Sequence, residues 1–546
     1  MTEPRFSIVT PVYETPAGVL RAMLRSVRRQ RFRDWELCLV DDASTEPHVA
    51  SILDAAAQRD PRIRVMRRGE NGGIVAASND ALAMAGGEFI VLLDHDDKLH
   101  PDALTFVAEA LDEEPAADYL YTDEDKIDRV GLHFGPFCKP DWSPERMRTQ
   151  MYTCHLSVLR RSLVEEVGGF DPGFEGSQDW DLVLKVTERA RSVVHVPHVL
   201  YHWRAIETSA AEGGESAKPW AFEAGARAVQ AHCERIGLQA RVERDKELAG
   251  VYHLQPDLTR QPRVSIVIPT NGQRREVRYR EVTLVEHCVR SIVETSTYEN
   301  YEIVCVADSS TDTAAIAEIE AIAGDRLRVV TYDREFNFAA KINLGARHAD
   351  GEQLLLLNDD MEVVTPGWIE RMAMYAQHPG IGAVGARLLW EDGCLQHAGI
   401  VFEGGLPGHI YRGFGGRYKG YSNGTNVAQN YLAVTGACMM TPAAAFERVG
   451  GLSTDLPVNY NDVDYCLKLG AEGLRVVYDP DTVLYHFESS SRSSDVEDWE
   501  KEALLERWRP ITESDPSSNP YLAHGMPRLG AHFAWASRRL RSGSRS

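Results

Sequence analysis

The amino-acid sequence predicts an α/β protein made of two copies of one domain, each a mostly parallel sheet covered by helices. Three observations predict it. Four segments recur in the same order at offsets of 258, 266, 264 and 284 residues. Within each copy, short apolar runs alternate with helical patterns. Acidic residues collect where apolar runs end, and doubly wound sheets bind ligands beyond the carboxyl ends of their strands.

The first recurring segment runs from Pro4 through Ile8 to Pro11 and returns from Pro262 through Ile266 to Pro269. Trp35-Glu36-Leu37-Cys38-Leu39-Val40-Asp41-Asp42 returns as Tyr301-Glu302-Ile303-Val304-Cys305-Val306-Ala307-Asp308. Gly87-Glu88 followed by Leu93-Asp94-His95-Asp96 returns as Gly351-Glu352 followed by Leu357-Asn358-Asp359-Asp360. Val199-Leu200-Tyr201-His202 returns as Val483-Leu484-Tyr485-His486. A period this long marks a duplicated domain, not a solenoid. In the first copy the pattern predicts strands over 7–10, 36–40, 63–66 and 89–93 and helices over 19–29, 51–57 and 74–85. Leu20, Met23, Leu24 and Val27 fall on one helical face. Further helices are expected over 221–235 and 496–509. The division expected is a first domain over 1–205, a helical tail and linker over 206–261, a second domain over 262–490, and a helical extension with a disordered basic tail over 491–546.

Composition narrows the function. Hydrophobic residues are 43% and charged residues 26% of the 546, as in ordinary soluble proteins. The formal charge of −22 disfavours a broad nucleic-acid surface, so no nucleic-acid partner is expected. None of the nine cysteines forms a CxxC pair, which predicts buried thiols in a reducing compartment. No charged-then-apolar start and no apolar run of bilayer length is present, so the expected location is cytoplasmic. The tail Arg538-Arg539-Leu540-Arg541 reads first as a solvated end; the alternative is peripheral contact with the inner face of the cell membrane.

The chemistry-bearing residues sit at strand and helix ends. Asp94-His95-Asp96-Asp97 packs three carboxylates into four positions, a pattern suited to Mg²⁺ or Mn²⁺ bridging to a diphosphate; the plainer reading is a solvated turn. Its return as Asn358-Asp359-Asp360 favours the first. Asp42 ends a buried strand, where a carboxylate reads nucleotide hydroxyls or simply caps a turn. No GxGxxG follows the first strand and no Walker sequence is present. Gly168-Gly169-Phe170 leads to Gln178-Asp179-Trp180, and Gly450-Gly451-Leu452 to Asn461-Asp462. Each Asp opens a helical stretch and is either a dipole-stabilised first-turn acid or a general base on a rigid element. His202 and His486 end equivalent strands 23 and 24 residues later. Their repetition favours a metal-ligand reading.

Together, Thr10-Pro11-Val12-Tyr13-Glu14, Val40-Asp41-Asp42-Ala43-Ser44, the Asp94 to Asp97 cluster, Gly168-Gly169-Phe170 and Gln178-Asp179 resemble the family-2 glycosyltransferases, with the A-type (GT-A) nucleotide-diphospho-sugar transferase fold. Thr122-Asp123-Glu124-Asp125, Phe137-Cys138-Lys139-Pro140-Asp141-Trp142-Ser143-Pro144, and Asp515-Pro516 with Asn519-Pro520 resemble a subgroup with two tandem transferase domains. That subgroup builds bacterial envelope polysaccharides, including rhamnose-containing ones.

The resemblance implies an inverting, metal-dependent transfer from a nucleotide-diphosphate sugar to a glycan or lipid-linked glycan, in O-antigen, capsule or similar synthesis. Pro11, Tyr13, Glu14, Asp42 and Asp94, with Pro269, Asp308 and Asn358 in the second copy, would contact the donor. Asp96 and His202, and Asp360 and His486, would hold Mn²⁺ or Mg²⁺; Asp179 and Asp462 would be the bases. Asp123, Glu124 and Trp180 are acceptor-side candidates. The second copy departs from the first: Asp41 becomes Ala307, and Asp94 becomes Asn358. Two functions therefore stand: a bifunctional transferase, or one active first domain with a second that only binds glycan or nucleotide.

Overall fold

The computed structural model describes residues 3–205, 219–488, 496–523 and 525–527. The Ser489-Ser490-Ser491 run and the basic tail from Arg538 lie outside them. Two compact units are present: residues 1–142, 150–236 and 242–252 form the first, and residues 143–149, 237–241 and 253–546 the second.

In the first unit, strand Phe6–Val12 pairs in parallel with Trp35–Asp41 on one side and Phe89–Leu92 on the other, and Ile63–Arg67 extends the sheet. Strand Ser157–Arg160 runs antiparallel between Phe89–Leu92 and Ala117–Ile127. Ala117–Ile127 then pairs in parallel with Ser192–Arg204. The central strands are buried along nearly their whole length, which is why they read as continuous apolar runs and do not alternate. Helix Ala17–Arg28 buries Leu20, Met23, Leu24 and Val27, the face its spacing predicts. Helices Pro47–Arg59 and Gly73–Met84 follow the next two strands.

The second unit repeats the order. Val264–Thr270 is flanked in parallel by Tyr301–Asp308 and Gln353–Leu357, and Cys438–Pro442 is again the antiparallel insertion. Ile381–Leu389 pairs in parallel with Arg475–His486.

The duplication reaches buried polar contacts. Ser7 Oγ donates to Glu36 Oε1 at 2.7 Å and accepts from Gly87 N at 2.8 Å; Ser265, Glu302 and Gly351 repeat this at 2.6 and 2.8 Å. A Cβ on Gly87 would lie 2.7 Å from Ser7 N, and one on Gly351 2.6 Å from Ser265 N, so both strand entries require glycine. Gly168-Gly169 and Gly450-Gly451 all take positive φ, turning the chain towards the helices that carry Asp179 and Asp462. Asn79 clamps the first turn through both the N–H and C=O of Phe170, at 2.9 and 2.8 Å. Asn343 does the same to Leu452, at 2.9 and 2.8 Å.

Helix Pro219–Ile236 places Gly225 against Trp180 and Tyr252 of the same unit, covering the expected 221–235. Helix Asp498–Thr512 covers most of the expected 496–509. Among the described residues no helix is long and apolar enough to cross a membrane.

Candidate active sites

In the second unit, a cavity of about 500 Å³ opens at the carboxyl ends of Val264–Thr270 and Gln353–Leu357. It gathers Pro269, Asn358, Asp360, Asp462 and His486, five residues that lie far apart in the chain. His486 Nε2 lies 3.1 Å from Asp360 Oδ1 and 3.4 Å from Asn358 Nδ2. Its other nitrogen, Nδ1, is held at 2.6 Å by Gln396 Oε1. Gln396 Nε2 donates to Glu488, which fixes the amide orientation. His486 therefore donates through Nδ1 and aims Nε2 at the Asp360 carboxylate.

Asp308 is not in the cavity wall but is joined to it: Lys341 Nζ, which lines the cavity, lies 2.9 Å from Asp308 Oδ1 and donates to Thr270 O at 2.8 Å. Thr270 Oγ1 donates to Asp359 Oδ2 at 2.5 Å. Asp462 opens helix Asn461–Ala471. Its carboxylate accepts from Gly436 N and Val463 N, each at 2.8 Å. Burial pushes its pKa up, against those backbone donors, the direction that suits a base.

In the first unit, Asp179 opens helix Gln178–Thr187 and accepts from Trp180 N at 2.9 Å. Its pKa is also raised by burial, opposed chiefly by His155. The carboxylate, His155 and Cys154 bring potential ligand atoms within 4.8 Å of one another. His155 Nε2 lies 3.8 Å from Asp94 Oδ2, and its Nδ1 lies 3.4 Å from Glu124 Oε2. Burial works against the imidazolium, but the carboxylates of Glu124, Asp94 and Asp97 together outweigh it and raise the pKa to about 9. Asp94 is half exposed, whereas Asp97 is fully buried and accepts from Tyr201 Oη and Arg204 N at 2.6 and 2.7 Å. Burial raises the pKa of Asp96, with Asp94 adding and His95 opposing.

His202 is placed differently from His486. Its Nδ1 is 2.7 Å from Asp125 Oδ1, and the other oxygen of Asp125 takes His133 Nδ1 at 2.8 Å. Among the described residues, its hydrogen-bond partner is thus Asp125, not a member of the Asp94 to Asp97 cluster.

Of the residues expected at the donor, Asp42 accepts from Gly72 N and Gly73 N, each at 2.9 Å, with Arg68 Nε 2.9 Å away. Glu14, at positive φ, accepts from Thr45 N at 2.6 Å and Thr45 Oγ1 at 2.8 Å, which lowers its pKa. Tyr13 is exposed, and Pro11 faces Val40 across the strand pair. Asp123, Glu124 and Trp180 are all buried. Asp123 accepts from Lys139 N at 2.8 Å, Glu124 faces Lys139 and His155, and Trp180 packs edge-on against Tyr252.

Sequence reasoning missed His155, Asp125, Lys341 and Gln396. Asp125 carried a signal, since it shares strand Ala117–Ile127 with Asp123 two positions away. The other three are single polar residues in ordinary contexts.

The donor set of the second cavity fits a divalent cation. Among the described residues, Asn358 Oδ1 is buried and has no hydrogen-bond partner. Asp360 and His486 add a carboxylate oxygen and an imidazole nitrogen on the same wall. Oxygen and nitrogen donors of this kind suit Mn²⁺ or Mg²⁺.

The glycosyl transferase family 2 model matches residues 7–168 and 265–447, once in each unit. A Sinorhizobium fredii protein named "Uncharacterized protein y4gI" is 40% identical over 534 residues, covering 95% of this chain and 58% of its own length. The O-antigen biosynthesis protein RfbC of Myxococcus xanthus is 38% identical over 525 residues, covering 95% of this chain and 40% of its own length. The chain thus spans about half the length of these relatives. A Pasteurella multocida hyaluronan synthase is 30% identical over 186 residues, covering 34% of this chain and 19% of its own. The two repeated, mostly parallel sheets flanked by helices are the GT-A-like architecture expected from the sequence. With its model matched in both halves over well more than half of the residues, the chain belongs to glycosyl transferase family 2.

Proposed function

We propose that the chain transfers sugar from a nucleotide-diphosphate sugar to a glycan or lipid-linked glycan during envelope-polysaccharide synthesis. The transfer inverts the anomeric centre, and both domains, over 1–205 and 262–490, are active. The observation that carries this reading is the second cavity, where Asp360, His486, Asn358 and Asp462 converge. The O-antigen protein among the relatives supports the polysaccharide context.

Asp462 takes the proton of the acceptor hydroxyl as its oxygen forms a bond to the anomeric carbon. The bond from that carbon to the diphosphate oxygen breaks, and the nucleoside diphosphate leaves from the opposite face. Asp360, His486 and Asn358 would hold Mn²⁺ or Mg²⁺, which when bound supplies positive charge to the departing diphosphate. Lys341 adds a fixed cation to the same wall. In the first unit Asp179 has the base role, and Asp96 with His202, oriented by Asp125, the metal role. Asp42, Glu14, Tyr13 and Pro11 there, and Pro269 in the second, border the nucleotide, with Asp308 acting through Lys341. The chain works in the cytoplasm; contact with the inner face of the membrane is the alternative if the acceptor is lipid-linked.

A second reading, in which only the first domain transfers, is favoured by Asn358 standing where the first copy has Asp94. Thermal unfolding with UDP, GDP and dTDP, each with and without Mn²⁺, tests the site. Ligand at about 100 times its Kd should stabilise the unit that binds it by about 2.7 kcal/mol. Stabilisation that needs one nucleotide together with the metal is expected. No shift with any of them at millimolar ligand refutes the nucleotide-sugar reading.

A further inference from the structure

The second unit carries a longer segment between Ile381–Leu389 and Cys438–Pro442 than the first carries between Ala117–Ile127 and Ser157–Arg160. This segment brings the hairpin of Ile400–Glu403 and Leu406–His409 to the cavity, and His409 at its end lines the wall. Behind His409 sits His397, which is fully buried. The two Nδ1 atoms are 2.8 Å apart.

The proton positions follow from the backbone. Thr435 N–H donates to His397 Nε2 at 3.4 Å, so that nitrogen is an acceptor and His397 carries its proton on Nδ1. That proton is donated to His409 Nδ1, which must then be bare. The remaining proton of His409 is consequently on Nε2. Burial keeps both rings neutral. It pushes His397 well below the ordinary histidine range, with His409 and His486 adding. It pushes His409 down to about 4, with Arg412 adding. The result is an uncharged N–H donor whose proton cannot move to the other nitrogen without breaking a buried bond.

Resting on the nucleotide-sugar reading above, we propose that His409 is a specificity-determining residue that presents this fixed N–H to a sugar hydroxyl in the second cavity. A diphosphate oxygen is better met by a cation, and Lys341 already stands on the wall for it. A neutral donor of fixed direction suits an uncharged hydroxyl oxygen, on the donor sugar or on the acceptor sugar. A ligand lacking that hydroxyl would leave the donor unpaired.

The test uses the full chain carrying Asp96→Asn, to silence the first unit, with Mn²⁺ present. Calorimetry compares UDP with UDP-glucose, GDP with GDP-mannose and dTDP with dTDP-rhamnose, in that background and with His409→Phe or His409→Gln added. Phe removes the N–H, whereas Gln returns a side-chain donor. His409→Phe is expected to leave the nucleotide affinity unchanged and to weaken the matched nucleotide sugar about tenfold, with recovery in His409→Gln. If the hydroxyl belongs to the acceptor, donor affinity and donor hydrolysis stay unchanged while the acceptor KM rises about tenfold in His409→Phe and recovers in His409→Gln. Equal losses for nucleotide and nucleotide sugar, or no change in any of these quantities, overturn the proposal. ¹⁵N-histidine NMR gives an independent check at pH 7: His397 protonated on Nδ1 and His409 on Nε2 is expected, and the opposite tautomers or a charged ring overturn it. Failure of the underlying reading looks different, because no nucleotide would then bind the second unit even with His409 intact.

Discussion

Replacing each proposed base by asparagine should separate chemistry from stability, because the two carboxylates are held differently. Asp462 accepts one backbone N–H on each oxygen, from Val463 and Gly436. Asparagine offers one oxygen and one NH₂ there, so one backbone donor would face another donor. A buried donor left unsatisfied costs about 1–3 kcal/mol. Asp179 accepts the backbone N–H of Trp180 on Oδ1, and asparagine keeps that bond. Burial disfavours its charge and Asp94 repels it, which together outweigh the attraction of His155, so neutralisation costs the first unit little. Asp462→Asn should therefore lower the unfolding free energy by about 1–3 kcal/mol and Asp179→Asn by less than about 1 kcal/mol. Transfer is a separate readout. Loss of a positioned base slows it by about 10²–10⁴, roughly 3–5 kcal/mol of barrier. Denaturant unfolding followed by tryptophan fluorescence gives the stabilities, and nucleoside diphosphate release with acceptor present gives the rates. Asp462→Asn with unchanged stability would refute the donor-against-donor argument. If Asp179→Asn alone abolishes all transfer, the single-active-domain reading gains; if each variant removes part, both domains work. Full wild-type rates in the double variant would sink the base assignment for both residues.

The duplicated contacts make matched predictions. Asn79→Ala and Asn343→Ala each leave an N–H and a C=O of a glycine-turn residue without its side-chain partner, so each should cost about 2–4 kcal/mol in denaturant unfolding; a change under 0.5 kcal/mol in either would deny that the clamp is structural. Gly87→Ala and Gly351→Ala drive a Cβ into a strand backbone and should each destabilise their unit by about 1–3 kcal/mol or abolish soluble expression, whereas thermal midpoints equal to wild type would contradict the close approach. Asp118 is buried between Arg160 and Arg191; burial opposes its charge, and the two arginines overcome it and hold the pKa down to about 2. Because the folded value lies below the unfolded value near 3.9, its contribution of about 2 kcal/mol is complete above pH 4 and is lost as pH falls towards 2. Asp118→Asn should flatten the stability profile in that window, and a profile parallel to wild type would show that the arginines do not lower this pKa.

The repeat, the strand order within each copy and the positions of the acids were legible in the sequence, because each depends on local periodicity or on a strand ending. Buried parallel strands must be apolar throughout, so 7–10, 36–40 and 89–93 stood out, and the spacing of Leu20, Met23, Leu24 and Val27 marked a helix face. The candidate acids and histidines were visible for the same reason. What each one touches depended on the tertiary structure. His202 and His486 occupy matching strand positions, yet one is tied to Asp125 and the other lies beside Asp360. The difference comes from which side chains neighbouring strands bring across the sheet, through register and bulges that no linear pattern records. His155, between Asp94, Asp179 and Glu124, was invisible for the same reason: it lies in the bend just before the antiparallel strand Ser157–Arg160, whose place in the sheet is set by pairing with residues far along the chain. Which chemical groups stand at the strand ends could be read from the residues alone, because local pattern and backbone geometry suffice for that. Only the folded chain decided which of them are paired off and buried and which face a cavity, because that outcome depends on long-range packing.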